Sequence, residues 1–267
     1  MMKEIYITAI KAAIEAGREI MTIYDNNDFQ VETKIDDSPI TIADKRANDI
    51  INKFLLPTNI PIISEENKQL DFSERKDWNE CWIVDPLDGT KEFMKRNGEF
   101  TVNIAFIKNN APIFGVIYVP AKNKLYIGDV IGQKSFKGII DNNEDFVFVA
   151  SELKQIKQST MGKNIRVVGS RSHMNDDTLL FIDKLKNQYK KEVEIVSKGS
   201  SLKFCLIAEG EADVYPRFAP TMEWDTAAGQ AICEAVGIKV IDQETSLPML
   251  YNREDLLNNY FLVSSLG

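Results

Sequence analysis

Apolar residues recur at helical spacing where the chain begins and at strand spacing soon after. Over residues 3–24, Ile10, Ala13, Ile14 and Ala16 share the pattern with Lys11, Glu15, Arg18 and Glu19, which predicts an amphipathic helix; a second is predicted over 42–56. Runs rich in β-branched and aromatic residues then predict strands at Phe29–Ile35, Ile60–Ile63, Cys81–Asp85, Val102–Ile107, Ile113–Val119 and Lys124–Ile127, interrupted by a short helix after Thr90. Asn-Asn and Pro signals between them suggest antiparallel pairing.

The later half alternates. Strands at Ile165–Val168, Val193–Val196 and Val214–Tyr215 each precede a helix, at Asp176–Gln188 with Asn175 as cap, at Ser201–Glu209 and at Glu223–Val236. Strands at Ile238–Ile241 and Tyr260–Val263 follow. The reading is α+β in the first half and α/β in the second. The polar stretch Ala150–Lys163 is the expected boundary, giving lobes over 1–155 and 156–267 packed into one unit with the site between them.

The segment Trp82-Ile83-Val84-Asp85-Pro86-Leu87-Asp88-Gly89-Thr90 changes this picture from fold to chemistry. A buried-strand pattern ends in two carboxylates three residues apart. Pro86 carries no N–H, Gly89 permits a sharp turn and close approach, and Thr90 reads as an N-cap whose following N–H groups can face an anion. Carboxylates for a hard cation beside donors for a phosphate suggest metal-assisted phosphate chemistry.

Bulk properties narrow the alternatives. A net charge of −8 over 267 residues argues against a general nucleic-acid surface. The single histidine, His173, leaves little material for a multi-histidine zinc site or a Ser-His-Asp triad. Cys81, Cys205 and Cys233 are three separated cysteines in apolar surroundings, and they read as free buried thiols of a reducing compartment. Charges interrupt every apolar run, so no signal-peptide core and no membrane span are expected; the cytoplasm is the default, with peripheral contact at the cytoplasmic face of the inner membrane left open.

Four acidic clusters stand out: Asp44 in Thr41-Ile42-Ala43-Asp44, the pair Glu65 and Glu66, the pair Asp85 and Asp88, and Asp225 in Trp224-Asp225-Thr226-Ala227-Ala228-Gly229. Each has an ordinary reading when taken alone. Asp88-Gly89 is a common turn, Glu65-Glu66 a solvated loop, Asp225 a charge at a helix N-terminus, and Asp44 a capping residue. Their co-occurrence beside strand ends favours a shared cation, because converging carboxylates repel strongly without one.

These motifs, with Ser64-Glu65-Glu66, resemble the lithium-sensitive, Mg²⁺-dependent inositol monophosphatase superfamily over nearly the whole chain. Asp88-Gly89-Thr90-Lys91-Glu92-Phe93, Asn97-Gly98-Glu99-Phe100-Thr101-Val102-Asn103-Ile104-Ala105, Gly169-Ser170-Arg171-Ser172-His173, Gly199-Ser200-Ser201-Leu202-Lys203-Phe204-Cys205 and Tyr215-Pro216-Arg217 are similar to its bacterial 3′(2′),5′-bisphosphate nucleotidases, the CysQ type. The resemblance implies a layered α/β/α/β/α sugar-phosphatase fold and hydrolysis of adenosine 3′,5′-bisphosphate (PAP) to AMP and phosphate. The adenylyl sulfate PAPS is a further candidate substrate, and the setting is sulfate assimilation and nucleotide recycling.

By the same resemblance, Glu65, Asp85, the Leu87 carbonyl, Asp88 and Asp225 hold two or three Mg²⁺ ions, and Li⁺ inhibits. Asp44 and Thr90 orient the attacking water and take its proton, with Glu66 ordering a metal-bound water. Gly89 and Thr90 hold the phosphate to be cleaved, and Asp225 adjoins the substrate. Ser170, His173, Gly199, Ser200 and Lys203 contact the nucleotide, with Arg217 a further cation. His173 read alone is a surface capping residue and Lys203 an exposed helix lysine. The alternatives are an inositol monophosphatase or other small sugar phosphatase, with fructose-1,6-bisphosphatase a weaker rival, and a non-catalytic PAP- or metal-binding protein. The expected partner is a small nucleotide bisphosphate, and the expected form a monomer or homodimer.

Overall fold

The computed structural model describes residues 2–26, 32–33, 39–140, 153–157, 162–169 and 175–266. The chain opens with α1 (Glu4–Asn26), followed by a short antiparallel ribbon of β1 (Glu32–Thr33) and β2 (Pro39–Ile40), then α2 (Ile42–Leu55). Of the strand expected at Phe29–Ile35, only Glu32–Thr33 lies within the described residues.

A seven-stranded sheet follows. Its strands, in spatial as well as chain order, are β3 (Ile62–Ser64), β4 (Glu80–Asp88), β5 (Thr101–Lys108), β6 (Ala111–Val119), β7 (Lys124–Asp129), β8 (Lys134–Ile139) and β9 (Lys154–Gln155). Helix α3 (Phe72–Arg75) lies between β3 and β4, and α4 (Thr90–Met94) between β4 and β5. Pairing is antiparallel except at β3–β4, which run parallel because the chain crosses over through α3. The sequence does not announce β8 and β9: β8 carries two lysines at a partly exposed margin, and β9 is two residues long.

The apolar runs are continuous because both sheet faces are covered. In β4, Trp82 and Val84 join the core under α1 and α2, whereas Cys81 and Ile83 join the opposite one. In β5, Val102, Ile104 and Phe106 alternate in the same way with Ala105 and Ile107. Strand alternation thus divides each run between two cores.

The second sheet has the order β11–β10–β12–β14–β13, built from β10 (Ile165–Gly169), β11 (Val193–Ser197), β12 (Val214–Arg217), β13 (Val240–Asp242) and β14 (Phe261–Ser264). Its outer face packs on α5 (Asp176–Tyr189) through Ile165, Val167, Ile182, Leu185 and Val214. Asn175 caps α5 by accepting from the Thr178 N–H at 3.1 Å. Helices α6 (Leu202–Ala208) and α7 (Glu223–Glu234) lie between the sheets, which completes five layers, α/β/α/β/α. One core joins Ile83 and Ile117 of the first sheet with Cys205, Ala228 and Phe261. All three cysteines are buried and free. No described helix is long and apolar enough to cross a membrane.

Helix α7 comes from the second half of the chain yet lies directly on the first sheet. A Cβ at Gly115 would stand 2.5 Å from the Ala228 carbonyl oxygen, and one at Gly128 2.6 Å from that of Ala231. Backbone cannot yield as a flexible side chain can, so these glycines set the approach distance.

A buried carboxylate ties α6 to the same sheet. Glu209, just beyond α6, accepts from Lys124 at 3.1 Å and from Lys137. Burial raises its pKa, but hydrogen bonds from Lys137, Tyr126 and Lys124 outweigh that and hold it below the ordinary value. The native state therefore binds fewer protons than the unfolded one, and the contribution is complete above the unfolded value of about 4.3 and lost as pH falls through the folded one. Glu209→Gln should destabilise the protein by about 1–3 kcal/mol at pH 7 in urea unfolding. The difference from wild type should shrink below about pH 4.3.

Candidate active site

The site begins where β4 stops being regular. Its pairing with β5 shifts register between Asp85 and Asp88, across Pro86, which has no N–H to give to the ladder. The break turns Asp85 and Asp88 toward a common region, and the Leu87 N–H donates to Asp85 Oδ1 at 3.0 Å. Gly89 then adopts φ 94°, and a Cβ there would lie 3.2 Å from the Glu99 carbonyl oxygen. Both facts require glycine.

Thr90 is not the helix cap that the sequence suggests. Gly89 occupies the cap and Thr90 is the first residue of α4. Its hydroxyl is thereby available to donate to Asp44 Oδ1 at 3.1 Å. Asp44 does serve as a capping residue: its Oδ2 accepts from the Thr41 N–H at 2.8 Å and the Thr41 hydroxyl at 2.6 Å. One oxygen of Asp44 holds α2 and the other faces Thr90.

Asp225 stands in the first turn of α7 and accepts from the Met222 N–H at 2.8 Å. That turn is braced by a buried polar network. Glu223, fully buried, accepts from the Asn252 N–H at 2.7 Å and the Arg253 N–H at 3.1 Å, and Arg75 donates to Asn252 Oδ1 at 2.9 Å. None of Arg75, Asn252 and Arg253 carries a motif-like spacing, so only the structure reveals them as support for Asp225.

Together these elements bring carboxylate oxygens of Asp85, Asp88 and Asp225 within 4.8 Å of one another. Asp85 is 1% exposed. Burial first, then the charges of Glu65, Asp88, Asp225 and Asp44, push its pKa well above the usual carboxylate range. Asp225 is raised to about 7 by burial and by Asp88. Asp44 is raised by burial, with Glu66 adding to it. Glu65 is outside the close trio but near enough to act on Asp85, as Glu66 is on Asp44. This is an all-oxygen donor set with more negative charge than its surroundings neutralise, and it fits a hard divalent cation such as Mg²⁺.

Asp88 and Asp225 of the trio open on a cavity of about 440 Å³. Asp88, Gly89 and Asp225 line one side; Gly199, Ser200, Lys203 and Arg217 line another, with Lys91 and Lys95 at α4. Lys203 is not the exposed lysine that helical spacing allows. It is 7% exposed, donates to the Ser200 carbonyl at 2.6 Å and lies over the Tyr215 ring. Burial lowers its pKa to about 8 against the opposing pull of Asp88. The Ser200 hydroxyl and Arg217 Nε are buried with no hydrogen-bond partner among the described residues. Unmatched donors in a cavity wall suit an anionic ligand. Ser170 and His173 lie outside the described residues.

Residues 1–266 match the sequence model of the inositol monophosphatase family. The 3′(2′),5′-bisphosphate nucleotidase CysQ of Shigella flexneri is 42% identical over 256 residues, spanning 94% of this chain and 96% of that protein. CysQ of Haemophilus influenzae is 31% identical over 257 residues, spanning 94% and 89%. The crystal structure of CysQ from Bacteroides thetaiotaomicron superposes with a TM-score of 0.85 at 46% identity, covering 97% of this chain and 96% of that one. SuhB from Bartonella henselae, at 22% identity and a TM-score of 0.75, shares the fold.

Crowded carboxylates destabilise the metal-free protein once they ionise, and a cation should reverse this. At pH 8 in EDTA, Asp85→Asn should unfold about 2–4 °C above wild type. Added Mg²⁺ should raise the wild-type midpoint and leave the variant nearly unchanged; differential scanning calorimetry makes both comparisons.

Proposed function

The chain belongs to the inositol monophosphatase family, and from that premise we propose that it works as a 3′(2′),5′-bisphosphate nucleotidase, hydrolysing PAP to AMP and phosphate. The observation that carries this reading is the pairing of two opposite charges in one cavity. Asp88 and Asp225 of the acidic trio face one side, and Lys203 and Arg217, with Lys91 and Lys95, supply cations around it. A substrate with two phosphates needs both: one group at the metal and a second anion site away from it. The identity with CysQ nucleotidases over nearly the whole chain supports the same substrate class. Hydrolysis of PAP returns to AMP the nucleotide left when PAPS is used, which places the activity in sulfate assimilation.

Family members depend on metal, and we propose Mg²⁺, held by Glu65, Asp85, the Leu87 carbonyl, Asp88 and Asp225. Bound there, it supplies a polarised water and neutralises charge on the phosphoryl oxygens. The chain's own groups do the rest. Thr90 Oγ accepts a hydrogen bond from the attacking water while donating to Asp44 Oδ1, which gives the proton a path to Asp44. Burial makes that carboxyl a stronger base than usual. Glu66 orders a water beside this pair. The amides of the turn at Gly89 and Thr90 hold the phosphate being cleaved. Lys203, with the unpartnered Ser200 hydroxyl and Arg217, takes the second phosphate, and Gly199, in the same cavity wall, is a proposed nucleotide contact. Ser170 and His173 are proposed nucleotide contacts.

The test is phosphate release from PAP and from inositol 1-phosphate side by side. PAP should be the faster substrate with Mg²⁺, turnover should cease in EDTA, and millimolar Li⁺ should inhibit. Asp88→Asn should lower turnover of PAP by more than about 100-fold with the circular dichroism spectrum retained. Faster release from inositol 1-phosphate would contradict the assignment of the second-lobe cations, and full activity of Asp88→Asn the assignment of the metal.

A further inference from the structure

Asp88 stands apart from the other acidic residues in how completely one of its oxygens is occupied. Its Oδ2 accepts from the Ser201 N–H at 2.6 Å, and lies 2.7 Å from Ser201 Oγ and 3.3 Å from Asn103 Nδ2. Ser201 Oγ accepts from Asn103 Nδ2 at 2.9 Å and lies 2.8 Å from the Asp225 carbonyl oxygen. A hydroxyl has one proton, so Ser201 donates to Asp88 or to Asp225 at any moment, and it bridges the two segments that bring their carboxylates from opposite halves of the chain.

Two further features show structure maintained at a cost. Asn103 is 1% exposed in an apolar strand, and its amide oxygen has no partner among the described residues. Only the amide's donor side is used, because a carboxylate accepts and does not donate; an apolar residue there would leave no orphaned oxygen. Ser200 takes a left-handed φ of 46°, which is unfavourable for serine and sits immediately before the N–H aimed at Asp88. The loop is also fastened to the first sheet's side by the Gly199 N–H, which donates to Glu99 Oε2 at 2.9 Å.

We propose that Ser201 and Asn103 are positioning residues. They fix Asp88 through Oδ2, leaving Oδ1 to bind the cation, and they tie the loop that lines the substrate cavity to the metal ligands. The inference rests on the reading of the acidic cluster as a divalent-cation site. Neither residue touches the reacting atoms; both act through Asp88.

The experiment titrates Mn²⁺ into the full chain and follows the free-ion electron paramagnetic resonance signal, for wild type, Ser201→Ala, Asn103→Leu, the double variant and Ser201→Thr. Circular dichroism in EDTA selects the variants that fold. Each of the first two should weaken Mn²⁺ binding by about 10- to 100-fold. The double variant should lose less than the product of the two, since both act on one oxygen, and Ser201→Thr, which keeps the hydroxyl, should bind as wild type does. If one single variant fails to fold, the other decides. Wild-type affinity in a folded Ser201→Ala or Asn103→Leu overturns the role of the residue replaced. No Mn²⁺ binding by wild type overturns the metal reading and this inference with it.

Discussion

Crowding of negative charge in a place partly closed to water is the constraint on which the rest of the structure depends. Asp85, Asp88 and Asp225 converge where solvent screens them poorly, and burial and the neighbouring carboxylates both oppose the ionised forms of Asp85 and Asp225. Each is held there by donors outside the cluster: the Leu87 N–H for Asp85, Ser201 and Asn103 for Asp88, the Met222 N–H for Asp225. Such an arrangement is unfavourable by itself and becomes favourable with a cation at its centre. The network of Arg75, Glu223, Asn252 and Arg253, none of which lines the cavity, follows from the same constraint, because the first turn of α7 must keep its place against repulsion.

The fold brings these groups together by interleaving the halves of the chain. Helix α7 belongs in sequence to the second half, but the contacts at Gly115 and Gly128 seat it on the first sheet. Asp225 therefore meets the end of β4 without a flexible linker between them. The loop before α6 brings the cavity's other wall within reach through Glu99 and Asp88. The acidic cluster and the facing cavity wall are thus fixed by shared hydrogen bonds as well as by a common core. That is the rigidity phosphoryl transfer requires, since its catalysis is mainly positioning and electrostatics.

Much of this was legible in the sequence because it is local. The strand ending in Asp85-Pro86-Leu87-Asp88-Gly89 carries its own signals: an apolar run, a residue without an N–H, two carboxylates and a glycine. Helical periods gave α1, α2 and α7 within a few residues, because each buries a stripe against a sheet. What stayed hidden depends on contacts distant in the chain. Asn103 looks like one polar position in a strand, and only its neighbours Asp88 and Ser201 give it meaning. Lys203 has the spacing of an exposed lysine, and its burial comes from Tyr215 and the layers around it. Thr90 read as a cap because threonine commonly is one, whereas the left-handed Gly89 takes that place and frees the hydroxyl for Asp44. Strands β8 and β9 were missed because short strands with little apolar alternation resemble loops. The parallel step from β3 to β4 depends on a four-residue helix too short to show a period.

If the acidic cluster is a divalent-cation centre opening on an anion-binding cavity, a divalent ion should be found among its carboxylates. A crystal structure with Mn²⁺, located by anomalous scattering, tests it most directly. An anomalous peak is expected between Asp85, Asp88 and Asp225, within coordination distance of their oxygens, as for a hard six-coordinate ion. Ordered Mn²⁺ elsewhere on the protein with none between these three carboxylates would contradict it.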